Sequence, residues 1–470
     1  MTVAPEAPNP PNAPNAPDPR VVKDLRGVVG AEHVMVDPDL TAAYATDWTG
    51  RFVGLPSAVI RPGTAAEVAG VIGLCRAAAI ALVPQGGNTG LVGGGVPLAG
   101  EAVLSLRRLS GITDVDGRAG QLTVGAGTSV RDVQAAAAAA GWAYGVDLGS
   151  RDSATVGGTV ATNAGGLQVL RHGATRSQLA GMEAVLGTGA VVSHLGGLLK
   201  DNTGYDLAGL LCGSEGTLGV VTAARLRLVP PNPERVVALL AFPSTSEAVE
   251  AAFLLRRALP DLQSLELFLA AGLDLVCRVT GAPRPFADPH PAFLLAEVAG
   301  PTDPLPAMAA TLESVPSLAD VAVATDATRR AQLWRYREGH TDAINTLGAP
   351  HKLDVTLPGR ALAAFIDQVP GVVADVEARA TTWLFGHAAD GNVHVNITGV
   401  APDDLAVDGR VLTYAAELGG SISAEHGIGT AKRPWLHLNR SDAEIAAFRS
   451  IKRALDPAGI LNPNVLLPPA

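Results

Sequence analysis

The strongest constraint on the fold is a predicted β-hairpin whose turn is the dipeptide Asp390-Gly391. Alternating apolar and polar residues run into this dipeptide and out of it. Asp-Gly favours a two-residue turn because glycine accepts the positive φ that such a turn requires. Counting outward from the turn pairs His387 with His394, with their Cβ atoms about 5 Å apart, a spacing from which two imidazoles can share one metal ion. Asn396 follows two residues later on the same face.

A third metal ligand is offered by the adjacent pair Glu425 and His426, which glycines bracket on both sides. Together, His387, His394 and Glu425 would leave an open coordination position and suit a catalytic divalent cation, with zinc as the expected metal. The alternative is that each histidine only satisfies a buried hydrogen bond.

The composition is that of a folded, acidic protein. Of the 470 residues, 47% are hydrophobic and 17% are charged, which is enough apolar material for two or three domains. The net charge of -10 argues against a nucleic-acid partner and against a basic membrane-surface patch. Cys75, Cys212 and Cys277 form no paired motif, as expected of a reduced, cytoplasmic protein. No apolar run reaches the length of a transmembrane helix.

Proline-rich stretches suggest the domain boundaries. Residues 1–19 repeat Pro, Asn and Ala and are expected to form a disordered tail without the features of a secretory signal. The run 230–233 is hostile to helix and sheet alike, so it predicts a boundary between a first domain over 20–230 and a second over 231–418. The second domain mixes strands and helices, which predicts an α+β domain over an antiparallel sheet. Residues 419–470 form a C-terminal segment.

Local patterns predict several elements. A capping box at Thr64–Glu67 opens a helix, and another helix begins at Ser441 and ends at Asp456. Further elements are predicted as follows: strands Ser57–Ile60, Ala79–Val83, Ala102–Leu106, Gln121–Gly125, Val236–Phe242 and Ala292–Val298, and an alanine-rich helix Val130–Ala140.

Glycines are concentrated in three loops, over 86–95, 149–166 and 213–219, which hold 14 of the 53. Such loops let backbone N–H groups approach a pyrophosphate. The first loop is not a Rossmann fingerprint, because that motif leads directly into a helix. Here Pro97 and Gly100 follow, and then a predicted strand.

Together these loops resemble the FAD-binding domain of the vanillyl-alcohol oxidase and para-cresol methylhydroxylase type, and Ile460–Pro463 matches as well. The resemblance runs from about residue 20 to the end. It implies an α+β fold in which 20–230 is the FAD-binding domain, 231–418 is the substrate (cap) domain with the metal hairpin, and 419–470 completes the active site and returns to the FAD domain. The FAD should be non-covalent, because 86–90 contains no His or Cys. The implied FAD-binding positions are Pro84, Gln85, Gly86, Gly87, Asn88, Thr89, Gly90, Leu91, Gly149, Ser150, Ser153, Gly157, Gly158, Thr162, Asn163, Gly166, Glu215, Val220 and Asn462.

Two further segments, Phe385–Asn396 and Ser423–Gly427, resemble the D-2-hydroxyacid dehydrogenase branch, which includes D-2-hydroxyglutarate and D-lactate dehydrogenases. The resemblance implies an enzyme that oxidises a D-2-hydroxy acid and passes the hydride to flavin N5. In this scheme His426 is the general base and also contacts the substrate, and Asn396 orients the substrate.

The segments Leu333–Thr341 and His351–Pro358 resemble those that bind carboxylates in the hydroxyglutarate dehydrogenases. Arg337, Thr341 and Lys352 are the implied substrate-binding positions. The alternative for Arg337 is an ion pair with Glu338 or another neighbour. Two cations favour a dicarboxylate such as D-2-hydroxyglutarate or D-malate.

Three other functions remain open at this point: a D-lactate or glycolate dehydrogenase, a non-catalytic flavin-binding subunit of an oxidase complex, and an oxygen-using carbohydrate oxidase. The retained metal-ligand set argues against the subunit, and the absence of a covalent anchor argues against the carbohydrate oxidase. A dehydrogenase of this kind needs an electron acceptor, which would be a flavoprotein, a quinone or a cytochrome. A homodimer is one arrangement open to it.

Overall fold

Three β-sheets organise residues 17–469, the part of the chain that the computed structural model describes. The helices are α1 (Pro19–Val29), α2 (Pro38–Thr41), α3 (Ala65–Ala77), α4 (Val130–Ala139), α5 (Val156–Thr162), α6 (Val169–His172), α7 (Thr175–Gln178), α8 (Leu207–Leu211), α9 (Thr245–Ala258), α10 (Ala270–Thr280), α11 (Leu305–Leu312), α12 (Ala327–Asn345), α13 (Gly359–Ala374), α14 (Ala406–Glu417) and α15 (Asp442–Leu455). The strands are β1 (Val34–Met35), β2 (Val59–Ile60), β3 (Leu82–Gln85), β4 (Ala102–Ser105), β5 (Ile112–Asp116), β6 (Gln121–Gly125), β7 (Leu179–Leu186), β8 (Val191–His194), β9 (Gly219–Arg227), β10 (Glu234–Phe242), β11 (Leu262–Leu269), β12 (Ala292–Gly300), β13 (Asp320–Ala324), β14 (His351–Thr356), β15 (Thr381–His387) and β16 (Asn392–Thr398).

The first half of the chain builds two small sheets. One has the order β1-β2-β4-β3, with parallel pairs among its last three strands. The other is antiparallel, with the order β5-β6-β9-β7-β8. The end of the chain returns to the first sheet, where Leu461 bridges Leu82 and both residues are fully buried. The proline-rich run 230–233 lies between β9 of the second sheet and β10 of the third.

The second half builds a seven-stranded antiparallel sheet with the order β13-β10-β12-β11-β15-β16-β14. Because side chains alternate along a strand, the sheet has two distinct faces. Helices α9, α11, α13 and α14 bury one face in an apolar core. Helices α10 and α12 cover part of the other face. Beyond them, β11, β15, β16 and β14 carry polar side chains on this second face.

The hairpin prediction is right in kind but wrong in register. His387 pairs with Asn392, and His394 pairs with Phe385, so the loop spans the four residues 388–391 rather than two. The reason lies in the neighbouring strand, since Ala388 donates its backbone N–H to Leu265 at 2.9 Å and so continues the pairing with β11. The observed partner of His387 is two residues away from the predicted one. Because two is an even number, both histidines still lie on one face of the sheet.

Other predicted elements differ mainly at their ends. The strand expected from Ala79 begins at Leu82, because Ala79 has φ 52° and closes α3. At Thr64 the capping box is half formed: Thr64 caps Glu67 N, but the Glu67 carboxylate accepts from Gly63 N. The box at Ser441 is complete.

The predicted tail falls almost wholly on residues 1–16, which lie outside the described residues. Its predicted end is displaced, because Pro19 already begins α1 with Asp18 as its N-cap. Among the described residues, no helix combines the length and the apolarity needed to cross a membrane.

Candidate active site

The polar face of the large sheet brings the three predicted metal ligands together. The His387 and His394 rings lie 5.3 Å apart at 78° to each other. Glu425 Oε1 is 3.6 Å from His387 Nε2 and 3.4 Å from His394 Nε2. Ligand atoms at about 2.0–2.1 Å from a tetrahedral ion would be about 3.3 Å apart. The three side chains therefore fit a small divalent cation.

Glu266, which the sequence analysis missed, fixes the orientation of His387. Its carboxylate is buried and accepts from His387 Nδ1 at 2.7 Å and from Arg337 Nε at 2.8 Å. Burial would lower the pKa of His387, but the Glu266 and Glu425 carboxylates outweigh it and hold that pKa well above its usual range. Burial lowers the pKa of His394 well below its usual range. With Nδ1 committed to Glu266, His387 presents Nε2 to Glu425, as a metal ligand requires.

Glu425 and His426 sit on a segment without regular secondary structure, and two buried carboxylates hold it in place. Asp354 Oδ2 accepts from the backbone N–H groups of residues 424, 425 and 426 at 3.0, 2.7 and 3.0 Å. Glu215 accepts from those of residues 428 and 429 at 2.8 and 2.7 Å. Between the two groups, Gly427 has φ +84°, which favours glycine.

His426 lies within reach of the same centre. Its ring stacks on His394 with centroids 5.4 Å apart and an interplanar angle of 16°. Nε2 is 3.8 Å from Glu425 Oε1, and Nδ1 is 3.2 Å from Asp354 Oδ1. Asp354 is fully buried and also pairs with the buried Lys432. Burial opposes ionisation of Asp354, but His426 and Lys432 hold its pKa well below the usual range.

Two of the predicted substrate-binding residues, Lys352 and Asn396, border this centre. Lys352 and Asn396 are paired across β14 and β16, and Asn396 lies two residues from His394. Asn396 is buried, and its Nδ2 has no hydrogen-bond partner among residues 17–469. Burial lowers the pKa of Lys352 to about 8. Both residues could therefore donate to a bound anion.

Arg337 and Thr341 lie one turn apart on α12. Arg337 is 6% exposed and its guanidinium lies 4.4 Å from the centre of the Phe385 ring. The ion-pair partner of Arg337 is Glu266 of β11, at 2.8 Å, rather than Glu338. Within the described residues only Nε of Arg337 donates a hydrogen bond, so the N–H groups on both Nη atoms are free to donate to a ligand.

The glycine-rich loops meet beside this centre. A Cβ at Gly86 would overlap Thr155 Oγ1, and one at Gly87 would overlap the Ser153 carbonyl, so the first two loops are in backbone contact. Thr155 Oγ1 is buried without a hydrogen-bond partner in the described chain. A Cβ on Gly90 or Gly149 would meet no atom within 4 Å. The loops thus form a cradle: they pack tightly against each other at Gly86 and Gly87 and leave open space at Gly90 and Gly149. Together with the unpaired hydroxyl of Thr155, this cradle fits a polar cofactor.

Other predicted FAD positions tie the loops to one another. Asn462 Nδ2 donates to Gly94 O at 2.9 Å and to Glu215 O at 2.8 Å. Gly166 N–H donates to Glu425 Oε2 at 3.3 Å. The last motif thus contacts the first and the third, and the second contacts the predicted metal ligand Glu425.

The remaining predicted positions divide into three groups. Several use their side chains inside the protein: Gln85 donates to Tyr44 O and Gly95 O, Asn88 to Thr46 O, Thr162 to Gly158 O, Glu215 accepts from residues 428 and 429, and Asn163 accepts from Arg176 N. The side chain of Val220 packs in the core with α3 and β4. Pro84, Thr89, Leu91, Ser150, Gly157 and Gly158 lie on or beside the loops.

Sequence reasoning missed Glu266, Asp354 and Lys432. A lone carboxylate in the apolar strand β11 was the signal for Glu266, because a charge at a core position must find a partner. Asp354 alternates with core residues in the same way. Lys432 follows a glycine-rich turn, where no alternation of apolar and polar residues marks it as buried.

Comparison with known proteins agrees with this geometry. The family model "FAD linked oxidases, C-terminal domain" matches residues 231–466, and "FAD binding domain" matches residues 56–194. The chain is 39% identical over 461 residues to a D-2-hydroxyglutarate dehydrogenase of Xanthomonas citri pv. viticola, covering 96% of this chain and 97% of that one. It is 36% identical over 449 residues to a mitochondrial D-2-hydroxyglutarate dehydrogenase of Danio rerio, covering 92% and 83%.

Solved structures show the same fold. A 4-ethylphenol oxidase from Gulosibacter chungangensis has a TM-score of 0.77 at 18% identity, covering 97% of this chain and 99% of that one. A p-cresol methylhydroxylase has a TM-score of 0.74 at 17% identity, covering 95% and 96%. The predicted fold class is confirmed.

Fold and site thus define an FAD-linked oxidoreductase. The chain belongs to the family of FAD linked oxidases, which includes the D-2-hydroxyglutarate dehydrogenases, as its motifs predicted.

The contact between the first two loops generates a prediction. Gly87→Ala should displace the loop, because the new methyl group overlaps the Ser153 backbone. At about 1–3 kcal/mol for overpacking, FAD affinity should fall roughly 5- to 150-fold. The flavin-to-protein absorbance ratio after gel filtration measures this. The control is Gly73→Ala, where a Cβ in α3 meets no atom within 4 Å. Equal flavin content in the two variants would show that the loop contact does not shape the cofactor site.

Proposed function

We propose that this protein catalyses the FAD-dependent oxidation of a D-2-hydroxy acid to the 2-oxo acid, with D-2-hydroxyglutarate or D-malate as the substrate. The observation that carries the proposal is the Gly166–Glu425 hydrogen bond of 3.3 Å. It joins an FAD loop directly to the cluster of His387, His394 and Glu425. A hydroxy acid held at this cluster would lie beside the flavin, as hydride transfer requires.

We assign the metal to His387, His394 and Glu425, with zinc as the expected ion. A divalent cation there supplies Lewis acidity, which lowers the pKa of a coordinated hydroxyl group. Glu266 supports the assignment, because a carboxylate on the second nitrogen of a ligating histidine fixes its tautomer and raises its basicity. The two carboxylates Glu266 and Glu425 also concentrate negative charge where a cation would sit.

His426 is the general base in this proposal. It takes the proton of the substrate hydroxyl at Nε2. Nδ1 lies 3.2 Å from Asp354 Oδ1 without the geometry of a hydrogen bond, but the charge of that carboxylate favours a proton on Nδ1 and so leaves the lone pair on Nε2. Asn396 Nδ2, which is buried without a partner within residues 17–469, donates to the substrate carboxylate. The flavin supplies the hydride acceptor when bound.

Non-covalent attachment of FAD is also part of the proposal. Residues 86–90 include no His or Cys. The thiol of Cys212 lies 3.8 Å from Asn163 Oδ1, at one of the FAD loops, but burial raises its pKa to about 11. A thiol with so high a pKa is neutral and weakly nucleophilic near pH 7.

The charge balance favours a substrate with two carboxylates. Lys352 is 8% exposed and forms no ion pair within the described chain. A buried cation needs a partner, since leaving it unpaired costs several kcal/mol. The metal and Asn396 serve the first carboxylate, so a second carboxylate is the partner that Lys352 lacks.

A substrate panel with an artificial dye as electron acceptor tests the function. We expect dye reduction with D-2-hydroxyglutarate and D-malate, a lower kcat/KM with D-lactate, and no turnover of the L forms. Acid precipitation should release all FAD into the supernatant. If none of the D-2-hydroxy acids supports reduction of the dye, the proposed reaction is refuted.

The role of Glu266 yields a prediction about the metal. Glu266→Gln should weaken metal binding about 10–100-fold, the usual effect of losing a carboxylate behind a ligating histidine. Metal content after dialysis against a graded chelator series measures the affinity, and flavin content should stay constant. Glu250→Gln, at an exposed position of α9, serves as the control. Unchanged metal affinity in the Glu266 variant would show that Glu266 does not support the metal site.

Lys352 yields a prediction about substrate choice. Lys352→Met should lower kcat/KM for D-2-hydroxyglutarate by about 2–3 kcal/mol, or roughly 30- to 150-fold. D-lactate should be affected far less. Equal losses of kcat/KM for both substrates would show that Lys352 contacts the first carboxylate instead of the second.

The pH profile gives a second measure of the same role. The pKa of Lys352 in the free protein is lowered to about 8 by burial, although Asp342 opposes the shift. Its charge is present below that pH and is lost above it. The kcat/KM of the dicarboxylate should therefore decline as the pH rises through about 8, since this parameter reports groups of the free enzyme. D-lactate, or the Lys352→Met variant, should lack this decline.

A further inference from the structure

A short hairpin over residues 46–53 lies at the edge of the large sheet, beside β14. We name it the Trp48 hairpin. Thr46 and Val53 form a β-bridge, and Asp47 N–H donates to Phe52 O at 3.1 Å. The Asp47 side chain, 6% exposed, accepts from Thr49 Oγ1 at 2.7 Å and from Phe52 N at 3.2 Å. These bonds make the hairpin a rigid unit.

Both halves of the protein anchor this hairpin. On the FAD side, Asn88 Nδ2 donates to Thr46 O at 2.8 Å. On the substrate side, Arg51 pairs with the buried Asp408 of α14 at 2.7 Å, and Asp408 also accepts from His351 Nδ1 at 2.6 Å. His351 begins β14, the edge strand of the large sheet. The hairpin is thus fastened next to Lys352, the following residue on that strand.

The tip of the hairpin presents Trp48 to Lys352. The ammonium nitrogen lies 5.7 Å from the centre of the Trp48 ring. Trp48 is 47% exposed, whereas Lys352 is 8% exposed. A tryptophan at this exposure is not a core residue, so burial alone does not account for its position. An aromatic face attracts an ammonium group, but it offers no lone pair, so the N–H donors of Lys352 remain available to an anion.

We propose that Trp48 is a specificity-determining residue, which forms the pocket wall at Lys352 and selects substrates that carry a second carboxylate. The inference rests on the proposed function and assigns the far end of its substrate site. The ring excludes water from Lys352 and holds the ammonium in place without neutralising it. A substrate carboxylate that reaches Lys352 neutralises the charge, whereas a monocarboxylate leaves it unpaired. Selectivity therefore comes from the pair of Trp48 and Lys352 rather than from Lys352 alone.

Kinetics of three variants test this role. Trp48→Ala should lower the ratio of kcat/KM for D-2-hydroxyglutarate over D-lactate about three- to tenfold, the scale of a partly desolvated cation–π contact. The loss should lie in KM for the dicarboxylate, with kcat unchanged. Trp48→Phe should retain most of the ratio, because phenylalanine keeps an aromatic face. Val53→Ala changes a residue of the same hairpin that is 60% exposed and should match the wild type. An unchanged ratio in Trp48→Ala, or equal losses for both substrates, would overturn the proposal.

A binding measurement separates this inference from the proposed reaction. Glutarate has two carboxylates but no hydroxyl group to oxidise, and propionate has one carboxylate. Titration of the holoenzyme with glutarate should quench tryptophan fluorescence in the wild type but not in Trp48→Phe, and propionate should quench neither. Quenching that persists in Trp48→Phe would overturn the role of Trp48. Failure of every D-2-hydroxy acid to reduce the flavin, with glutarate quenching intact, would refute the reaction and leave the anion site standing.

Discussion

Five backbone N–H groups between residues 424 and 429 depend on two buried carboxylates. Asp354 from the large sheet holds three of these groups, and Glu215 from a glycine-rich loop holds the other two. The segment has no helix or strand to satisfy its backbone, and a buried unpaired N–H is unfavourable. Since Glu425 and His426 both lie on it, the geometry of the site depends on these two side chains. Lys432 in turn offsets the charge of Asp354.

This arrangement also explains how the two halves of the chain share one site. The large sheet contributes the histidines and the predicted anion-binding residues, while the loops of the first half contribute the cofactor cradle. Glu215 and Gly166 reach from the loops to the segment at 424–429, and Asn88 reaches the Trp48 hairpin. Each of these contacts joins residues far apart in sequence. The site is therefore complete only when both halves are folded.

Much of this organisation could be predicted from the sequence, and the failures have physical reasons. The two histidines share a face because a strand repeats every two residues, and that held even though the turn was misjudged. The loop length depended on Ala388 pairing with β11, a contact over more than a hundred residues that local turn preferences cannot reveal. The sequence analysis missed Glu266 and Asp354, although each stands between two apolar core residues of its strand. Their partners, Arg337, Lys432 and the N–H groups of 424–426, became known only from the fold.

The hydrogen bond between Gly166 and Glu425 has a consequence for how the protein is loaded. One oxygen of Glu425 accepts from the glycine-rich turn, and the other faces the two histidines. A ligand that shifts the turn therefore shifts the carboxylate, and an ion that pulls on the carboxylate shifts the turn. Thermodynamic linkage requires that two such occupants change each other's affinity by the same factor. Whichever of the two ligands binds first therefore sets, through this one carboxylate, the affinity with which the second binds.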